Sequence, residues 1–158
     1  MKKVLLSGVI GFIIGVLLLG VVGFVAAPRL MILEDESPLG FEETVQTIQD
    51  SAVAQGWKVP VTHELYNSVN KAGYSVLPAV TIELCHPDHA ARILQDDDAR
   101  IVTALMPCRI AVYETSDGRV IISRMNSGLV SKVFGGLVTE VMAQASAENE
   151  EILSAVLP

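Results

Sequence analysis

Cys85 and His86 stand side by side in E-L-C-H-P-D-H-A (83–90), His89 follows three residues later, and Cys108 closes L-M-P-C (105–108). These are both cysteines of the chain and two of its three histidines. Thiolate sulfur and imidazole nitrogen are donors that suit zinc and copper, and either can hold haem iron from an axial position. Histidines three apart at the start of a helix can share a face. Cys85, His86, His89 and Cys108 are therefore one candidate metal or cofactor set, for which zinc, copper and haem are the groups to weigh.

The same residues have plainer readings. His86 can sit in the cap region of a helix and His89 in its solvated first turn. The cysteines can be small packed hydrophobes, or they can form a disulfide if the two strand ends meet in an oxidising compartment. Their separation of 23 positions is nothing like C-x-x-C, which disfavours thioredoxin-type chemistry. There is no C-x-x-C-H for covalent haem attachment. Ser123 and Ser127 lack the context of a nucleophile elbow. Glu83 and Glu114 are candidate carboxylates without an assembled partner, and no glycine-rich phosphate cradle follows a strand. His63 reads as a surface histidine, and Asp96-Asp97-Asp98 as a solvated turn lacking the spaced oxygen donors of a calcium loop.

Positioning that set requires a strand running into Cys85, a helix opened by Pro87 and a strand beginning after Pro107. Val76 to Leu84 alternates as a strand, and Pro87 suits the first position of a helix running to about Gln95, with Ala90, Ile93 and Leu94 toward the core. Arg109–Glu114 and Arg119–Arg124 read as strands joined by T-S-D-G, where Asp-Gly is a strong hairpin signal. Upstream, Leu30 to Glu34 suggests an edge strand and Asp35 to Gly40 a turn. A helix from Phe41 should stop at Gly56. Trp57-Lys58-Val59 begins a strand limited by Pro60. Thr62 is placed to cap a short helix ending near Gly73, with Val61 and Tyr66 as its hydrophobic staple. Downstream, Leu129 to Met142 traces a broad apolar helical face expected to cover the sheet, interrupted by Gly135-Gly136, and Glu148 to Leu157 reads as a shorter terminal helix.

The chain has 158 residues, room for one modest domain, with an apolar fraction of 51% and a formal charge of −7. Much of the apolar excess lies in Val4 to Ala27, which carries no charge. As a helix it would be roughly 36 Å long, enough to cross a bilayer. A cleaved signal peptide is the rival reading: Val25 and Ala27 suit a cleavage site, but Pro28 would hinder the cut. Ser7, Gly11 and Gly15 have the spacing of a helix–helix contact, which ordinary glycine content of such helices also explains. Lys2 and Lys3 before the span favour an N-terminus in the cytoplasm. Residues 1–27 are thus expected to be a single transmembrane anchor, and residues 28–158 a domain in the periplasm or otherwise outside the cell. With Lys2 and Lys3 set aside, 9 of the 11 basic residues remain against 18 acidic ones, a formal charge of −9. That balance disfavours nucleic acid as a partner.

F-E-E-T (41–44), G-W-K-V (56–59), E-L-C-H-P-D-H-A (83–90), L-M-P-C-R-I-A-V-Y (105–113), S-R-M-N (123–126) and F-G-G (134–136) together resemble the DUF302 family over about residues 30 to 157. The resemblance implies a compact sheet-and-helix domain of a kind that can form dimers. The family's cysteine-X-proline and leucine-proline-cysteine signatures fall on Cys85–Pro87 and Leu105–Cys108. Family members often carry asparagine or lysine at the position of His86 and tyrosine at that of His89, so a histidine-based function would belong to a subgroup. The family name supplies no reaction.

The expected fold is α+β: a small antiparallel or mixed sheet packed by helices, behind one transmembrane helix. The expected function is that of a membrane-tethered binding or accessory module of the cell envelope, more a binder than an enzyme. Its partners would be a small ligand and a second copy or a membrane protein complex. The alternative is a metal- or haem-binding or thiol-based redox protein using the Cys85/Cys108 region.

Overall fold

The uncharged N-terminal stretch forms one helix, α1 (Lys2–Met31), which continues through Pro28. It belongs to a computed structural model that describes residues 2–157, with side chains described from Gly11 onward. Gly11–Met31 has a mean hydropathy of 2.4, and no part of its most apolar window is buried. The folded domain does not enclose this helix, so it is not a core helix; it is long and apolar enough to cross a membrane. Gly11 and Gly15 face open space, and Ser7 lies outside the residues whose side chains are described.

The sheet contains β1 (Ile32–Ser37), β2 (Thr62–Glu64), β3 (Ala79–Leu84), β4 (Cys108–Glu114) and β5 (Val120–Met125). Their order is β1-β5-β4-β3-β2, and every neighbouring pair is antiparallel. Of the two expected sheet types, the antiparallel one forms. The expected β4–β5 hairpin is present: Gly118 supplies a positive φ of 85°, and its N–H bonds the Thr115 carbonyl at 2.9 Å.

One face of the sheet is apolar and covered. Val80, Ile82 and Leu84 of β3, Ile110 and Val112 of β4, and Ile122 of β5 are buried on it. Two helices lie over them: α2 (Phe41–Ala54), through Phe41, Ile48 and Ala52, and α6 (Gly136–Leu153), through Ala145, Ile152 and Leu153. The other face carries the alternate residues, and its polar groups pair among themselves. Tyr113 donates to Glu34 at 2.6 Å, and Glu83 accepts from His63 and Arg109, each at 3.1 Å. A second, smaller cluster forms beyond the sheet end. It joins Ile93 of α4 (Pro87–Leu94), Ala99 and Val102 of the 3₁₀ segment Ala99–Leu105, and Val138 and Val141 of α6.

Several local expectations are corrected. The first strand starts at Ile32 and runs to Ser37, because α1 continues to Met31 and the Met31 carbonyl accepts from the Asn126 N–H at 2.8 Å. The 35–40 turn is correspondingly shorter. Thr62 does not cap a helix; it begins β2, and its hydroxyl accepts from Gln49 at 2.7 Å. The short helix α3 (Leu65–Lys71) follows instead, and Tyr66 packs edge-on against Phe41 with centroids 6.3 Å apart. Trp57–Val59 forms no strand beyond one bridge, Lys58 to Cys85.

The C-terminal region divides at a different place than expected. Gly135 adopts φ 72°, ψ −175° and Gly136 φ 50°, conformations a helix cannot continue through. The apolar run therefore splits into α5 (Ser127–Val130), a 3₁₀ turn (Ser131–Val133) and α6, which absorbs Glu148 to Leu153. Leu129, Val133 and Phe134 are left exposed, and the sheet is covered by the later part of α6.

Candidate functional site

β3 ends at Leu84, and Cys85 is pinned by reciprocal backbone bonds with Lys58, both 2.9 Å. Pro87 then opens α4 at its first position, with His86 as the extended N-cap residue. The His86 side chain makes no cap bond, leaving its ring free for other contacts. On the neighbouring strand Cys108 is registered opposite Leu84. The antiparallel pairing therefore brings both cysteines to the same end of two adjacent strands.

Cys85, His86, His89 and Cys108 all line one cavity of about 60 Å³ between that sheet end, α4, the 3₁₀ segment and α6. Its remaining wall is almost wholly apolar, and no Asp or Glu lines it. A water needs roughly 10–15 Å³ by this kind of measure, so the space holds a few atoms. A haem macrocycle does not fit it, and haem is set aside for the cavity as it stands.

The rings are packed. His86 and His89 have centroids 4.6 Å apart, and Trp57 lies 5.4 Å from the first and 5.7 Å from the second. His89 is buried, contrary to its expected place in a solvated turn, while Leu94, expected inside, is half exposed. The reason is the neighbour: α4 rests on α6, where Glu148 accepts from His89 Nε2 at 2.9 Å and from Trp57 Nε1 at 3.2 Å, both on Oε2. Desolvation would push the Glu148 carboxyl up, but the hydrogen bonds from His89 and Gln144 hold it below the usual carboxylate range. An ionised carboxylate only accepts, so His89 Nε2 is the donor. In the neutral ring Nδ1 then keeps its lone pair.

His86 Nδ1 is buried and has no hydrogen-bond partner. Such atoms are uncommon in folded proteins and call for an explanation. Both cysteines are free thiols, so the disulfide reading finds no bond here. Burial pushes the Cys108 thiol up, the Asn149 side chain opposes the shift, and the nearby Cys85 adds to it. Among the described residues, no group of three or more His, Cys, Asp or Glu side chains is arranged to hold a metal ion. The four predicted residues share a cavity without forming the closed tetrahedral cage of structural zinc.

The other polar residues weighed from the sequence lie elsewhere. His63 pairs with Glu83 on the open face of the sheet. Asp96 accepts from the Ala99 N–H at 2.8 Å, and Asp97 pairs with Arg100, so the acidic triplet serves a turn. Ser127 does line the cavity. Residues that sequence reasoning passed over are Trp57, Met106, Met125, Met142 and Glu148. Met106 and Met125 lie inside L-M-P-C and S-R-M-N, so proximity to those motifs was an available signal. Glu148 had none.

A family model described as "Domain of unknown function DUF302" matches residues 33–156. No curated protein matches the chain. A solved structure described as that of an uncharacterized conserved protein DUF302 from Bacillus stearothermophilus superposes with a TM-score of 0.72 at 20% identity. The match covers 81% of this chain and 99% of that one. At that identity the likeness shows the fold.

Proposed function

The chain belongs to the DUF302 family, and from that premise we propose that it is a membrane-tethered binding module of the cell envelope, with the cavity beside Cys85 and Cys108 as its ligand site. In this reading α1 is an uncleaved anchor with its N-terminus in the cytoplasm, and the domain stands outside the membrane. The observation that carries the reading is a preformed apolar cavity holding one unpaired buried nitrogen, His86 Nδ1. Binding sites have this composition: mostly apolar walls with a few polar groups that orient the ligand. Leu129 of α5, which contacts α1, and Val133 and Phe134 in the turn that follows are exposed, and they are where a second copy or a membrane protein complex would be met.

Full-length protein purified from its native membranes, with mass measured intact under native conditions, tests the site. A bound species lost on denaturation, and lost from His86→Phe at unchanged far-UV signal, supports the reading. Ligand-free protein whose cavity resonances ignore every added small molecule or ion sinks it. Protease added to intact spheroplasts tests the topology, since only a domain outside the membrane is removed.

A thiol redox role is the second reading, favoured by two free cysteines at adjacent strand ends. It predicts that oxidised glutathione converts Cys85 and Cys108 to a disulfide, with two thiol hydrogens lost and the glutathione reduced.

A further inference from the structure

We propose that the ligand of this cavity is a single cuprous ion, held by the Cys108 sulfur, by thioether sulfur from the neighbouring methionines and by one further donor, the Cys85 sulfur or the His86 imidazole nitrogen. The proposal rests on the binding-module reading and narrows its ligand to one chemical class.

The sulfur inventory is concentrated. Both cysteines and three of the five methionines of the chain, Met106, Met125 and Met142, line this one cavity. The methionines arrive from separate elements: the end of the 3₁₀ segment, the last residue of β5, and α6. Thiolate and thioether are soft donors, and together they select Cu(I) over harder ions. No carboxylate lines the cavity, which removes the oxygen donors that magnesium, calcium and manganese require.

The absence of a three-residue His/Cys/Asp/Glu group among the described residues bears on which ion fits. Zinc needs four such ligands, or three and a water. Cu(I) is content with two or three donors and accepts methionine, which such a group does not include. The same finding that disfavours zinc leaves Cu(I) in place.

Two nitrogen features complete the site. His86 Nδ1 is buried without a partner, and a metal ion is a partner that an apolar wall cannot supply. The carboxylate of Glu148 orients His89 through Nε2, the outer-shell arrangement that fixes which ring nitrogen is available to a metal. Trp57, only 2% exposed, packs against both rings and keeps water from that wall. Each cysteine that ligates releases its thiol proton to solvent as the S–Cu bond forms.

The test is anaerobic titration of the full-length protein in detergent with Cu(I), in competition with a chromophoric Cu(I) chelator, beside a parallel titration with zinc. The expected result is one Cu(I) per chain with a sulfur-dominated first shell in copper X-ray absorption, and no zinc retained against a competing chelator. Cys108 is packed against the core, so Cys108→Ser is checked by far-UV circular dichroism. Met106→Leu combined with Met142→Leu provides a test independent of it, because the swap keeps volume and removes only the donors. Both variants are expected to weaken Cu(I) at least tenfold. Failure to compete for Cu(I), zinc bound more tightly than Cu(I), or full Cu(I) affinity in the methionine variant would each overturn the proposal. A native mass that instead reveals an organic ligand, lost in His86→Phe, overturns the cuprous site and leaves the binding module standing. If the cavity takes up neither, both readings fall.

Discussion

His89 Nε2 donates to Glu148 Oε2 at 2.9 Å, joining the first turn of α4 to α6 across 59 positions of sequence. The same oxygen accepts from Trp57 Nε1, so one carboxylate oxygen satisfies two largely buried donors. Glu148→Ala strands both. The expected cost is about 1–3 kcal/mol, the penalty for leaving a buried polar group unsatisfied. Glu148→Gln retains an acceptor and should cost less. Trp57 is the only tryptophan, so its fluorescence through a urea titration of the detergent-solubilised chain reads the midpoint directly.

Arg124 lies on the covered face of β5, 9% exposed. It is held by Glu150 through two bonds of 2.7 and 2.6 Å and by Asp35 at 2.6 Å. Its two partners are about half exposed. Removing the arginine therefore leaves carboxylates that water can solvate, and Arg124→Met should cost about 1–2 kcal/mol. Asp35→Ala with Glu150→Ala leaves a buried guanidinium without a counter-ion and should cost more, about 3 kcal/mol. Equal losses, or the reverse order, would show that the arginine is not held in this way.

Gly135 opens α6 at φ 72°, ψ −175°, a region essentially restricted to glycine. A Cβ there would meet no neighbour, so the backbone conformation alone sets the cost. Gly135→Ala is expected to lower stability by about 1–3 kcal/mol. An unchanged urea midpoint would mean that the break between the 3₁₀ turn and α6 lies elsewhere.

On the open face of the sheet, His63 and Arg109 both hold the Glu83 carboxyl below its ordinary value, the hydrogen bond from His63 most strongly. A depressed carboxyl pKa contributes stability that is present above the ordinary carboxylate value and lost as pH falls through the lowered one. The Glu83 contribution to the ties between β2, β3 and β4 should therefore be lost in acid, below the usual glutamate range. Carboxyl NMR titration checks this: His63→Asn should move the Glu83 midpoint up, and by more than Arg109→Gln does.

Much of the scaffold was legible because short-range rules decide it. Pro87 at the head of α4, Asp117-Gly118 in the hairpin and Gly56 after α2 each follow from one residue's backbone preferences. The start of β2 was not legible, since Thr62 had a plausible local role as a cap. A long-range partner won instead: the Glu83 N–H bonds the Val61 carbonyl at 2.9 Å and draws the chain to the sheet edge. The Gly135-Gly136 break was visible as a pair of glycines, but whether it dents a helix or ends one depends on φ and ψ that no periodicity records.

By itself the sequence determined the apolar N-terminal helix, the α+β class and the segment where chemistry-bearing side chains collect. Charge, period and turn residues act over a few neighbouring positions, and those features need nothing more. Only the tertiary structure decided that Cys85 and Cys108 meet at one sheet end, since that depends on β3 and β4 being neighbours in antiparallel register. It also decided that His89 turns inward, because its buried ring needed an acceptor, and Glu148 on α6 supplies one. The three methionines became part of the site for the same reason: elements distant in sequence close one cavity, and closure is a property of packing.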